Sequence, residues 1–171
     1  VAPGANRVWQ NDGAGNFSDS GQTLGDRESF GLALGDLDAD NDLDAFVVNY
    51  QGQPDRAWFN NGSGTFTASA QLLGSASSTA VSLGDIDGDG VPDAFVAAGG
   101  FAVSGEPNRL WRNDGSGQFT ENATVFGDAR TAGVALGDFD HDGDLDLFAA
   151  NDYSEPNLVW QNDGSGHLSN T

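Results

Sequence analysis

Short runs of apolar and small residues, four to six long, recur along the chain between clusters of Asn, Asp and Gly. No stretch shows the 3.6-residue spacing of an amphipathic helix, so the runs read as strands. A first strand is Phe30-Gly-Leu32-Ala-Leu34-Gly, with counterparts Thr79-Ala-Val81-Ser-Leu83-Gly and Ala132-Gly-Val134-Ala-Leu136-Gly. A second is Ala45-Phe-Val-Val48, Ala94-Phe-Val-Ala97 or Leu147-Phe-Ala-Ala150, apolar on both faces as a sandwiched strand is. A third carries Trp9, Trp58, Trp111 or Trp160. An Asn-Asp/Asn-Gly turn follows, the signal of a tight hairpin, and leads to a fourth strand carrying Phe17, Phe66, Phe119 or Leu168. Trp and Phe at these positions are expected as cross-strand core partners rather than as sugar-stacking platforms.

Spacing joins the runs into one repeat. Each Trp precedes the next acidic loop by 27 residues (9 to 36, 58 to 85, 111 to 138). The loop's last Asp precedes the next Trp by 14, 18 and 14 residues, the longer connection lying near 97–107. Four strands in each repeat of 49 or 53 residues mark an all-β propeller blade. Residues 30–78, 79–131 and 132–171 are expected to form one blade each, and residues 1–29 half a blade. Closed propellers typically have about four to eight blades, so three and a half leave apolar faces open. The expectation is a piece of a larger propeller, or self-association: a dimer closing a seven-blade ring, or a head-to-tail filament.

Charge sharpens this picture. The 171 residues carry 26 Asp and Glu against 6 Arg, for a formal net charge of −20. That excludes a partner bound through phosphates, nucleic acid above all, and an anionic membrane surface. No apolar run is long enough to span a bilayer, the first residues do not read as a signal peptide, and without Cys there is no disulfide or thiolate site. Fourteen of the 26 acids lie in three nine-residue windows. The first contributes Asp36, Asp38, Asp40, Asp42 and Asp44; the second Asp85, Asp87, Asp89 and Asp93, with Val91 at the seventh position; the third Asp138, Asp140, Asp142, Asp144 and Asp146.

Carboxylates this crowded repel one another by roughly 1 kcal/mol per close pair even in water. A hard cation removes that cost. Calcium takes about six to eight oxygens, and alternate residues of a turning loop can aim carboxylates at one centre, with position 7 offering its backbone carbonyl. The three windows are therefore candidate Ca²⁺ sites. Their last acid falls at position 9 and no helix flanks them, so they are not EF-hands. Position 6 needs a positive φ; Gly90 and Gly143 provide it freely, whereas Asn41 does so with some strain, predicting a weaker first site.

The Leu-Gly-Asp starts at Leu34, Leu83 and Leu136, their Asp loops, and Pro107-Asn-Arg-Leu-Trp111-Arg-Asn-Asp-Gly-Ser-Gly-Gln-Phe119 together resemble the FG-GAP/VCBS repeat family of integrin-α-type propellers. The resemblance implies a calcium-binding extracellular or cell-surface propeller whose ligands dock on the face opposite the calcium loops. The loops expected there each carry an aromatic, Tyr50, Phe101 and Tyr153, as candidate contacts for a protein or glycan, though edge covering is the simpler reading. Three sequons, at Asn16, Asn61 and Asn122, are candidate glycosylation sites on a secreted route.

Nothing resembles a catalytic constellation. His141 sits inside a loop and His167 in a hairpin turn, neither beside a nucleophile elbow, and the paired carboxylates are committed to metal. The sequence reads as a non-catalytic module for adhesion or self-assembly. A lectin-like propeller, a filament subunit and an accessory segment of a larger secreted enzyme are the alternatives.

Overall fold

A computed structural model describes residues 4–99 and 106–170. The described residues contain strands only, and no helix is long and apolar enough to cross a membrane. β1 (Asn6–Asn11) pairs with β2 (Phe17–Leu24) as a two-stranded sheet. Three four-stranded antiparallel sheets follow, each in simple up-and-down order. They are β3 (Ser29–Gly35), β4 (Asp44–Asn49), β5 (Arg56–Asn60) and β6 (Phe66–Ala68); β7 (Ser78–Gly84), β8 (Asp93–Ala98), β9 (Arg109–Asn113) and β10 (Phe119–Glu121); and β11 (Thr131–Gly137), β12 (Asp146–Asn151), β13 (Leu158–Asn162) and β14 (Leu168–Asn170). Each sheet is a propeller blade. The second strand is apolar on both faces because it is buried on both: β4 and β8 are buried along their whole length.

The blades pack face to face. Phe46, Val48 and Ala57 of the β3–β6 blade meet Ala94, Val96, Trp111 and Phe119 of the next, with the Phe46 and Phe119 rings edge to face at 5.3 Å. Phe95 and Leu110 meet Leu147 and Leu168 of the last blade in the same way. Alternation along β4 sends Ala45 and Val47 the other way, onto Leu24 and Val8 of the two-stranded sheet. The inner strands nest through the Leu-Gly pairs: a Cβ on Gly84 would lie 2.7 Å from Leu145 Cδ1 and 3.0 Å from Leu136 Cδ1. Glycine there lets neighbouring inner strands approach closely.

Two expectations need correction at the two ends of this stack. Trp58 and Trp111 are buried and Trp160 partly so, but Trp9 is 58% exposed and Phe17 is 63% exposed. Leu32 and Leu34 are exposed although their counterparts Val81, Leu83, Val134 and Leu136 pack into cores. The two-stranded sheet has no inner strands to cover them. At the other end β12 is not buried on both faces, for Phe148 is 37% exposed while its counterparts Phe46 and Phe95 are fully buried.

Candidate metal centre

Each acidic window is the turn between the first and second strands of a blade. Its first Asp folds it. Asp36 Oδ1 accepts from the Asp40 N–H and Oδ2 from the Asn41 N–H, at 3.1 and 2.9 Å. Asp85 accepts from the Gly88, Asp89 and Gly90 N–H groups, and Asp138 from those of His141 and Gly143. Such a wrap requires left-handed residues. Asn41, Gly90 and Gly143 have φ of 70°, 90° and 101°, as the sequence predicts for position 6. Position 4 is left-handed too, with Ala39 at 61°, Gly88 at 76° and His141 at 65°, which spacing alone did not show.

The ninth residue closes the loop from beneath. Asp44, Asp93 and Asp146 are completely buried. One oxygen of each accepts from the N–H of loop position 2 (Leu37, Ile86, Phe139) and the other from the Asn two residues past the Trp (Asn60, Asn113, Asn162). Burial raises the carboxyl pKa of Asp44 and Asp93 above the usual range, against the pull of these N–H donors. Position 9 is thus a brace first.

The carboxylates that converge are those of Asp36, Asp38 and Asp40; of Asp85, Asp87 and Asp89; and of Asp138, Asp140 and Asp146. In each group one oxygen per residue lies within 4.8 Å of the others. The donor set is all carboxylate, which suits a hard divalent cation. Asp38 Oδ1 and Asp87 Oδ1 are moreover buried with no hydrogen-bond partner among the described residues. Burial, then the charges of Asp44, Asp40 and Asp36, hold the Asp38 carboxyl above its ordinary range. Crowded, partly unpartnered oxygens of this kind fit a cation.

Position 7 is different. A Cβ on Gly62 would lie 2.5 Å from Asp42 Oδ2, one on Gly164 2.5 Å from Asp144 Oδ2, and one on Gly115 3.2 Å from Val91 Cγ2. The side chains of Asp42, Val91 and Asp144 therefore rest on the hairpin glycine of their own blade, leaving the backbone carbonyl as the group position 7 can offer. Asp142 lies outside the converging group of the third loop, its Oδ1 accepting from the Asp144 N–H at 3.0 Å.

Sequence reasoning missed one constellation. The Asn after each Trp reads as part of a turn signal, yet its amide clamps several pieces. Asn113 Nδ2 donates to the carbonyls of Leu37 and Pro92, and Asn162 Nδ2 to those of Ile86 and Leu145. Each therefore joins its own acidic loop to the loop of the preceding blade. The recurrence of Trp-x-Asn at one distance from the loops was the available signal.

The candidate ligand-face aromatics do not align. Tyr50 and Asp152 occupy the same register, each N–H bonding back across its blade to Glu28 O or Arg130 O at 2.8 Å. Tyr50 is buried and stacks on Phe30, centroids 4.6 Å apart, which matches edge covering and leaves it little surface for a ligand. Tyr153 is exposed, with the Arg130 guanidinium 4.4 Å from its ring centroid. Phe30, Thr79, Arg130 and Tyr153 help line a pocket of about 170 Å³. Phe101 lies outside the described residues. Among the sequons Asn16 and Asn61 are exposed and Asn122 is half-buried. His141 and His167 are both exposed, and His167 faces Asp163 at 3.7 Å.

Comparison with known proteins agrees with the blades and loops. An FG-GAP-like repeat family model matches residues 36–96 and 100–149, and an FG-GAP repeat model matches residues 77–119. No curated protein matches the chain. With matched segments covering well over half its length and each described match falling on a blade with its acidic loop, the chain belongs to the FG-GAP repeat family.

Proposed function

We propose that the chain is a non-catalytic, calcium-stabilised extracellular propeller module that works in adhesion or assembly. The observation that carries the calcium reading is the recurrence of a three-carboxylate cluster in the same loop of three blades, with buried oxygens of Asp38 and Asp87 that have no hydrogen-bond partner among the described residues. Asp36, Asp38 and Asp40, Asp85, Asp87 and Asp89, and Asp138, Asp140 and Asp146 would hold the ions, with Asp44 and Asp93 adjacent. The position 7 carbonyls of Asp42, Val91 and Asp144 would complete the set, and Asp142 lies next to the third. Bound calcium would neutralise the clusters, and because the cradle exists only in the fold, its binding energy becomes folding energy. Millimolar extracellular calcium is a sufficient supply for carboxylate loops. Repeats of this family are generally non-catalytic. The test is a melting curve: EDTA lowers the midpoint sharply, millimolar calcium restores it, and magnesium restores it poorly. An unmoved curve defeats the reading.

Self-association has its own support. Phe139 is 49% exposed and Phe148 37% exposed at one end of the stack, while their counterparts Leu37 and Ile86, Phe46 and Phe95 are buried against a following blade. Trp9 and Phe17 lie exposed at the other end, at the positions from which Trp111 and Phe119 meet the preceding blade. The two ends are thus the two halves of an interface the chain already builds twice. A second copy would seat its Trp9 face on the Phe139 and Phe148 face, head to tail, giving a ring or a filament according to whether the rotation closes. Sedimentation at saturating calcium tests it, and a concentration-independent monomer defeats it.

A further inference from the structure

The residue after each Trp sits at a seam. Gln10, Phe59 and Arg112 each reach the last hairpin glycine of the following blade, Gly64, Gly117 and Gly166. In the last two blades the same position also faces the acidic loop of its own blade. In the last blade it is Gln161, whose Nε2 donates to Asp140 Oδ2 at 3.0 Å. In the middle blade it is Arg112. Its Nη1 lies 2.7 Å from Asp93 Oδ2 and 3.1 Å from Asp87 Oδ2, and its Nη2 donates to the Gly166 carbonyl at 2.7 Å. The Arg112 side chain is mostly buried and Asp93 wholly so. Loop position 3 therefore has a neutral amide beside it in the third loop and a fixed cation in the second.

That difference bears on how each loop would hold a cation. We propose that Arg112 sets the cation affinity of the second loop: a tethered positive charge that steadies the acids in the ion's absence and weakens divalent cation binding there. The proposal rests on the calcium reading above. A guanidinium shared between Asp87 and Asp93 supplies part of the charge that an ion would supply, in a partly dry seam where screening is weak. A divalent cation arriving at Asp85, Asp87 and Asp89 meets a like charge already held by one of its ligands. The same residue ties the loop to Gly166, so the second loop and the seam to the last blade remain held without metal. Gln161 shows that the position tolerates a neutral amide, which makes Arg112→Gln an in-register replacement.

The experiment is a CaCl₂ titration of the EDTA-stripped, 15N-labelled chain. It follows the amides of Gly90 in the second loop and Gly143 in the third, with calorimetry on the same samples. In the unmodified chain Gly90 shifts at higher calcium than Gly143. In Arg112→Gln the Gly90 midpoint falls by about tenfold, the scale of removing one close like charge from a semi-buried site, while Gly143 moves by less than about twofold. Arg112→Lys, which keeps the charge without the fork, leaves the second loop weak. In EDTA, Arg112→Gln melts below the unmodified chain, opposite in sign to its gain in affinity. Gly90 responding at or below the calcium level of Gly143, with Arg112→Gln titrating unchanged, overturns the proposal while leaving the calcium reading intact. If Arg112→Gln does not fold without calcium, the order of Gly90 and Gly143 in the unmodified chain decides. No response at either glycine overturns both readings.

Discussion

The Asn113 side chain donates to the Leu37 carbonyl at 2.9 Å, across 76 positions of sequence, so the hairpin of one blade holds the acidic loop of the blade before it. Its second bond, to Pro92 O at 3.2 Å, holds the loop of its own blade. Asn113→Ala leaves two carbonyls in the seam without this donor. The expected cost is about 2–3 kcal/mol, the penalty of unsatisfied buried polar groups. Asn60→Ala is the comparison, because among the described residues the Asn60 amide donates to Leu43 O alone, at 3.3 Å, within its own blade. Urea unfolding at saturating calcium should show Asn113→Ala losing clearly more stability than Asn60→Ala. Equal losses would mean that the bond between blades contributes nothing.

Much of this arrangement was legible in the sequence, for identifiable reasons. Strand identity follows from short apolar runs between Asn-Gly turns, and blade identity from the fixed distance between Trp and acidic loop. The converging carboxylates at positions 1, 3 and 5 of the first two loops follow from alternation. What stayed hidden depends on register between blades. Nothing local distinguishes Trp9 from Trp111; only the missing partner surface leaves one exposed and the other buried. Nothing local says that Asp44 is a buried brace while Asp42 rests on a hairpin glycine. Tyr50 and Tyr153 look equivalent by eye but sit one register position apart, which sends one inward and the other to solvent.

Strain in the first loop can be relieved. Ala39 has φ of 61° where the second loop has Gly88. A Cβ in this conformation costs roughly 1–2 kcal/mol, while glycine costs about 0.5–1 kcal/mol more unfolded-chain entropy than alanine. Ala39→Gly is therefore expected to stabilise the chain by about 0.5 kcal/mol. Gly88→Ala should destabilise it by a similar amount, since it reverses the exchange. Paired thermal melts with and without calcium read this. A loss of stability in Ala39→Gly would show that the left-handed turn is not under strain.

The carboxyl of Asp55 predicts an unusual pH dependence. It is buried between two blades, Oδ1 accepting from the Asn49 N–H and Oδ2 from the Ser78 hydroxyl, both at 2.8 Å. The corresponding seam holds Asn108, whose amide bonds Thr131 Oγ1 at 2.9 Å. Burial pushes the Asp55 pKa from 3.8 to about 7, although those two bonds and the Arg109 charge pull it down. A folded-state pKa raised above the unfolded one means the fold holds a proton the unfolded chain has released. Stability from this group is full below about pH 4 and lost as pH rises toward about 7. Asp55→Asn keeps the shape and removes the charge. It should match the unmodified chain near pH 4 and exceed it by about 4 kcal/mol at pH 8, from the linkage of one group shifted by about three pKa units. Chemical denaturation of both proteins in one calcium concentration checks this, the difference at each pH cancelling the metal's own contribution. A constant difference across the range would place Asp55 outside the titration.

The exposed Phe148 gives the sharpest test of assembly. Its counterpart Phe46 meets Phe119 of the next blade edge to face, and Phe95 packs in one cluster with Leu168, the residue of the last blade in the same position as Phe119. In a head-to-tail contact Phe148 would take that role against Phe17 of a second copy. Phe148 is part of none of the buried core clusters of the described residues, so Phe148→Asp should lower the melting temperature of dilute protein by much less than the same change at the fully buried Phe46 or Phe95. It would, however, bury an unpaired charge at the centre of the contact, so association should weaken by at least about thirtyfold, the scale of losing a 2 kcal/mol anchor. Phe17→Asp at the opposite end should do the same. Thr120→Asp, on the exposed edge strand β10, should not. Sedimentation velocity across a concentration series separates these outcomes. If Phe148→Asp and Phe17→Asp sediment like the unmodified chain at every concentration, neither end face carries an interface between copies.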